Sequence, residues 1–234
     1  MKLLFLGASN TDCRHCFSDD NLGYGYVKYT AQKLFDAFPE KFSKNSITNG
    51  GTDGFTFPRI YQKWQRLYQN MPYDIVVILG GINEVGVIQN TGLYGNAARE
   101  YLSDSAAALM QLLSSILNSG TKHVLVCEPF LFSWPDYLLN WMENLHHVRQ
   151  MICQTANQYP EDFVYYVPTQ HLFQESAVFP NNSVPEGSSF SACAPAVTTD
   201  GIHLSDTGHA ILGELLFQKI CAIIGGEKET DHDS

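Results

Sequence analysis

Five short, nearly uninterrupted apolar runs punctuate the chain: KLLFLG (2–7), SITN (46–49), DIVVILG (74–80), KHVLVCEPF (122–130) and FVYYV (163–167). Runs of this length, without polar alternation, predict strands buried on both faces. Between them the apolar spacing changes to three and four, the period of a helix. Residues 24–38 place Tyr26, Val27, Thr30, Leu34 and Phe35 near one face. Residues 97–118 are rich in Ala and Leu, and 137–158 carry apolar residues at mixed three and four spacing. The last run, SDTGHAILGELLFQKICAII, offers Ser205 as an N-cap and a stripe of Ile211, Leu212, Leu215, Leu216 and Ile220. Strands alternating with helices predict an α/β fold, a three-layer α/β/α arrangement around a central, mostly parallel five-stranded sheet.

No Pro/Gly-rich linker or internal repeat divides the chain, so residues 1–226 read as a single domain and the acidic 227–234 as a disordered tail. PNNSVPEGSSFSACAPAVTT, residues 180–199, is the one long polar, Pro-containing stretch, of the kind that carries function in compact domains.

Composition narrows the function classes. Of 234 residues, 44% are hydrophobic and 16% charged, enough to fill a sizeable core. A formal net charge of -10 argues against binding a nucleic-acid backbone, which requires clustered Lys and Arg. Apolar runs fall short of a membrane span, and MKLLFLGASN has too short an apolar core for a signal peptide. The expectation is a cytoplasmic protein with neither nucleic-acid nor membrane partners, its oligomeric state open. Six scattered cysteines then read as thiols. Cys13 and Cys16, in CRHC, invite a zinc or redox reading, but no second ligand pair at matching spacing accompanies them, so no metal or cofactor is expected. Asn181-Asn182-Ser183 is a glycosylation sequon by pattern only.

In a parallel sheet, ligands collect outside the carboxyl ends of the strands. The segments that follow the predicted strands are therefore the place to look for chemistry. The first strand runs into Gly7-Ala8-Ser9-Asn10, the second into NGGTDGFT (49–56), the third into GGINEVG (80–86) and the fourth into CEPFLFSWPDY (127–137). Ahead of the last helix stands TTDGIHLSDTGH (198–209). A serine nucleophile needs an imidazole base and an acid to orient it, and Asp200 and His203 offer both on one short loop. The oxyanion of an acyl-transfer intermediate needs fixed N–H donors. The backbones of Ser9 and Gly54 and the side-chain amide of Asn83 can supply them.

With these blocks in order, nearly the whole chain resembles the SGNH hydrolases, also called GDSL esterases. GASNTD stands where the family has Gly-Asp-Ser, and NGGTDGFT matches its Asn-x-x-x-x-Gly. GGINE matches Gly-x-Asn-Asp with Glu84 in the last place, and DGIHLSDTGH matches Asp-x-x-His. The resemblance implies a flavodoxin-like fold, a Ser9-His203-Asp200 triad and an oxyanion hole of Ser9, Gly54 and Asn83. More narrowly, TDC, LGYGYVKY and CEPF resemble a subgroup containing acetylxylan and related carbohydrate esterases. That implies hydrolysis of short acyl esters, acetyl above all, on a small-molecule substrate such as an acylated sugar. A lysophospholipase or thioesterase of the same family is one alternative. The other is an impaired, sugar-binding relative, because Ala8 replaces the motif's Asp and Asn10 stands where an aliphatic residue is usual.

Other residues read as structural: His209, His146 and His147 on helices, and Cys127 at the end of a buried strand. Phe130, Phe132 and Trp134 are candidates to line an acyl or sugar pocket, though aromatics in that place are as often packing.

Overall fold

A computed structural model describes residues 1–132, 136–173 and 196–230. Strand β1, Leu3–Gly7, is buried at every position, so it must lie inside a sheet covered on both sides. It does: β2 (Ile47–Gly51) and β3 (Ile75–Leu79) flank it, and β4 (His123–Cys127) and β5 (Val164–Val167) extend the sheet in the order β2-β1-β3-β4-β5. Every pairing is parallel. The register sets Gly51, Gly7, Leu79, Cys127 and Val167 side by side, so the carboxyl ends finish in one row. From β1 the chain goes outward to β2, then returns across β1 to β3. The strand order therefore reverses between β1 and β3, where a doubly wound sheet opens its crevice.

The helices are α1 (Ser9–Asp12), α2 (Tyr26–Ala37), α3 (Phe57–Leu67), α4 (Ile82–Thr91), α5 (Gly95–Asn118), α6 (Met142–Ala156) and α7 (Asp206–Thr230). Alternate strand residues feed opposite layers, as the two-residue period requires. Leu3, Phe5 and Val77 pack with Val27, Leu34, Leu212, Leu216 and Ile220 of α2 and α7. Leu4, Leu6 and Val76 pack with Ile60 and Trp64 of α3, Leu109 and Leu112 of α5, and Val148 of α6. This is the expected three-layer architecture.

All five predicted strands are present, with shifted ends. The fourth stops at Cys127 instead of 130, because Pro129 has no N–H to give a ladder and the Glu128 carboxylate turns to receive the N–H groups of Thr169 and Gln170, both at 2.9 Å. Helices α3 and α4 add to the elements that the spacing predicts. The expected helix over 137–158 divides into a 3₁₀ segment, Asp136–Trp141, and α6. Ser205 does cap α7, its Oγ accepting the Gly208 N–H at 3.2 Å. The helix is drawn to Thr230, inside the segment read as a tail, and residues 231–234 lie outside the described ones. Residues 206–226 are, against the sequence reading, long and apolar enough to cross a membrane. Their apolar positions Leu212, Leu216, Ile220 and Ile224 are built into the core beside α2.

Candidate active site

The turn after β1 is tight because Gly7 allows it. A Cβ there would stand 2.2 Å from Thr11 Oγ1 and 2.4 Å from the Leu79 carbonyl, so any side chain would push α1 off the sheet. The Ala8 carbonyl accepts the N–H groups of Thr11 (3.0 Å) and Asp12 (2.8 Å), which makes Ser9 the first helical residue. Buried Asn49 fastens this turn to β2 and to the chain ahead of α2. Its amide donates to the carbonyls of Thr11 (2.7 Å) and Leu22 (2.8 Å), and its Oδ1 accepts the Gly51 N–H at 2.9 Å.

The loop before α7 returns across the same edge. Asp200 Oδ1 accepts the backbone N–H groups of Ile202 (2.9 Å) and His203 (2.7 Å), an Asx turn that folds the loop back on itself. Its Oδ2 lies 2.6 Å from His203 Nδ1, and His203 Nε2 lies 2.9 Å from Ser9 Oγ. A carboxylate only accepts, so Nδ1 carries the proton and Nε2 faces the serine hydroxyl as an acceptor. Burial works to raise the Asp200 carboxyl, but the His203 N–H, the His203 ring and the Ile202 N–H outweigh it and hold the group below its usual range. About half of each side chain, 45% for His203 and 48% for Asp200, remains exposed, so the pair is reachable from outside. Such a chain can take a proton from the serine as its oxygen attacks an electrophile.

The other two predicted residues meet through one segment. Gly54, in the loop after β2, has φ +71°, a left-handed conformation that L side chains rarely adopt. Asn83, in the first turn of α4, donates from Nδ2 to the Phe55 carbonyl at 2.9 Å, fixing the amide beside that loop and leaving its second N–H for another acceptor. The next residue, Glu84, is fully buried, and its Oε1 accepts the Phe57 N–H at 2.6 Å. Its Oε2 has no hydrogen-bond partner among the described residues. Burial pushes this carboxyl up to about 7 against those backbone donors.

Two residues do more than their sequence reading gave them. Asn10, flagged only as unusual, donates to the Ile202 carbonyl at 3.0 Å and accepts the Leu204 N–H at 2.9 Å. His209, read as structural, accepts the Tyr26 N–H at Nδ1 (3.2 Å) and places Nε2 3.3 Å from Cys13 Sγ, which donates to the Asn10 carbonyl at 3.2 Å. Burial lowers His209 to about 4 and raises Cys13 to about 12, so both are neutral near pH 7. Cys16, its partner in the CRHC spacing, is exposed beside His15. Phe132 is a fully buried core residue packed on Phe173 at 5.3 Å. Phe130 lines a small cavity behind Ala8, and Trp134 lies outside the described residues, as do residues 180–195 of the long loop.

The cleft in front of Ser9 has a volume of about 580 Å³. Besides Ser9 and His203 its walls include Asp12, Asp53, Asp206, Arg14 and Tyr24, giving three carboxylates to one guanidinium.

A search of curated protein sequences finds no significant match. Solved structures do match. The acetylxylan esterase Axe2 from Geobacillus stearothermophilus superposes with a TM-score of 0.69 at 24% identity, over 94% of this chain and 93% of that one. A protein described as a GDSL-like lipase from Parabacteroides merdae gives 0.74 at 21%, over 94% and 95%. At these identities the likeness establishes the fold. The family follows from the sequence model of the GDSL-like Lipase/Acylhydrolase family, which matches residues 5–211. That span takes in the turn at Ser9, the Gly54 and Asn83 segments and the Asp200–His203 loop, so the chain belongs to the GDSL-like lipase/acylhydrolase (SGNH) family of ester-hydrolysing enzymes.

Proposed function

We propose that the protein is a serine esterase for short acyl groups, acetyl in particular, carried on carbohydrate hydroxyls. The observation that carries the reading is the unbroken chain from Ser9 Oγ through His203 to Asp200, at 2.9 and 2.6 Å. Ser9 attacks the ester carbonyl as His203 Nε2 takes its proton. Asp200 keeps the imidazole in the right tautomer and stabilises the imidazolium. The backbone N–H groups of Ser9 and Gly54 and the free N–H of the Asn83 amide receive the oxyanion; losing one such donor typically costs about 2.7–4 kcal/mol of transition-state stabilisation. His203 then protonates the departing alcohol and activates the water that releases the acid.

The sugar reading is supported by the resemblance to acetylxylan esterases and by the cleft. Its polar, net acidic wall suits a neutral, hydroxyl-rich alcohol and repels the phosphate of a lysophospholipid or of coenzyme A. The test is hydrolysis of p-nitrophenyl acetate, butyrate and octanoate by wild type and Ser9→Ala, followed by acetylated xylo-oligosaccharides. Turnover on acetate that falls with chain length and is lost in the variant is the expected result. Equal rates for wild type and Ser9→Ala on every ester would sink the reading and leave a sugar-binding protein.

A further inference from the structure

We infer that Asn10 is a positioning residue for catalysis: its side-chain amide clamps the loop that carries His203 to the turn that carries Ser9. The proposal rests on the serine-esterase reading above and adds to it a residue that acts through His203.

The geometry is a bracket. Asn10 follows Ser9 directly, on the same helical turn, and is 6% exposed. Its Nδ2 donates to the carbonyl of Ile202 at 3.0 Å and its Oδ1 accepts the N–H of Leu204 at 2.9 Å. Those are the two residues on either side of His203. The His203 peptide is held from the loop's own side, with its N–H on Asp200 Oδ1 at 2.7 Å and its carbonyl accepting from Thr198 Oγ1 at 2.6 Å and the Thr199 N–H at 2.9 Å. These local bonds shape the loop, and the Phe132 N–H on the Gly201 carbonyl at 3.0 Å ties it to the chain after β4; the Asn10 amide ties it to the turn that carries Ser9. Asn10 is itself anchored, because its carbonyl accepts the Cys13 thiol. One donor and one acceptor on a short planar group are what the two backbone partners require. Aspartate has no donor for Ile202, and alanine or leucine serves neither partner.

A misplacement of about 1 Å between nucleophile and base can cost on the order of 100-fold in rate. The experiment is steady-state hydrolysis of p-nitrophenyl acetate by wild type, Ser9→Ala, Asn10→Ala and Asn10→Asp, well below each melting temperature. Circular dichroism checks the fold, and the low-field proton signal of His203 Nδ1–H is recorded by NMR. The expected result is a loss in kcat of roughly 10- to 100-fold for Asn10→Ala, with KM within about threefold and the low-field signal broadened or lost. Asn10→Asp keeps the Leu204 bond, so a smaller but clear loss, about 5-fold or more, is expected. If Asn10→Ala does not fold, Asn10→Asp is read alone against that threshold.

A folded Asn10 variant with kcat within twofold of wild type and an unchanged proton signal overturns the clamp, whatever its melting temperature. If wild type is no faster than Ser9→Ala, the esterase reading itself has failed, and that result is separate from the first.

Discussion

Ala8 occupies the place where the family's motif has an aspartate, and its surroundings show what a carboxylate would meet. The methyl group is 5% exposed and borders a cavity walled by Leu79, Gly80, Ile82, Pro129 and Phe130, with Asn10 as the polar neighbour. An ionised carboxylate there loses water, in a cavity whose lining side chains are apolar apart from Asn10. Ala8→Asp is therefore expected to destabilise by about 2 kcal/mol, a fall of roughly 4–8 °C in Tm for a chain of this size, without raising kcat on acetate. A variant that melts higher and turns over ten times faster would show that the site is impaired by the missing acid. At this scale the sequence was legible where chemistry restricts residue type. Ser9, Asp200 and His203 stand out because few residues can serve as nucleophile, acid and base at those spacings. Asn49 is visible only as the first residue of a motif and Asn10 only as an oddity of the turn, and neither role is legible, since their partners are backbone atoms of residues 202 and 204, and of 11, 22 and 51, which any sequence supplies. Only the fold reveals those pairs.

Among the elements, the strands could be read because burial on both faces leaves an uninterrupted apolar run. The two helices beside the Gly54 loop, α3 and α4, were harder. In α3 the buried residues are just Phe57, Ile60 and Trp64, at spacings of three and four, with a proline in the first turn. That is a helix signal, but a thin one among polar residues. In α4, Gly80 and Gly81 ahead of the helix and Gly86 inside it weaken any helical pattern; the structure packs the Gly86 face near Trp141, 3.7 Å from where a Cβ would stand. Trp64 anchors α3 despite that thin pattern. It is fully buried, and its Nε1–H donates to Ser115 Oγ of α5 at 2.9 Å. Trp64→Ala is expected to cost about 3–5 kcal/mol, read as a lower urea midpoint, while Trp64→Phe keeps most of the ring and loses less. Because α3 starts just after Gly54, a frayed α3 should also lower kcat in Trp64→Ala. Unchanged activity and midpoint would mean that the α3–α5 contact holds little.

For the whole molecule, two buried titratable groups on opposite sides of the sheet bias stability in opposite directions. His209 lies in the α2–α7 layer and titrates near 4, below its usual 6.5, because burial disfavours the cation. Asp206 opposes that lowering and His203 adds to it. Between about pH 4 and 6.5 the unfolded chain therefore binds the extra proton, and stability from this group rises with pH, by up to about 3 kcal/mol. Glu84, between α3 and α4, titrates near 7, above its usual 4.5, because burial disfavours the anion. Here the folded protein holds the extra proton between about pH 4.5 and 7, so stability falls as pH rises, by a similar amount. Over the shared window of about pH 4.5–6.5 the two slopes offset, and wild-type Tm should change little through their titration. Single variants uncouple them. His209→Gln leaves Glu84 acting alone, so Tm should decline from pH 4.5 to 7; Glu84→Gln leaves His209, so Tm should climb over pH 4.5–6.5 and then level off. Thermal melts of the three proteins in half-unit pH steps decide the matter. Parallel curves for all three would mean that neither group carries its shifted proton affinity in the folded protein. Opposite slopes would place both groups in the dry interior flanking the Ser9 turn and the Gly54 loop, with His209 neutral and Glu84 ionising only near pH 7.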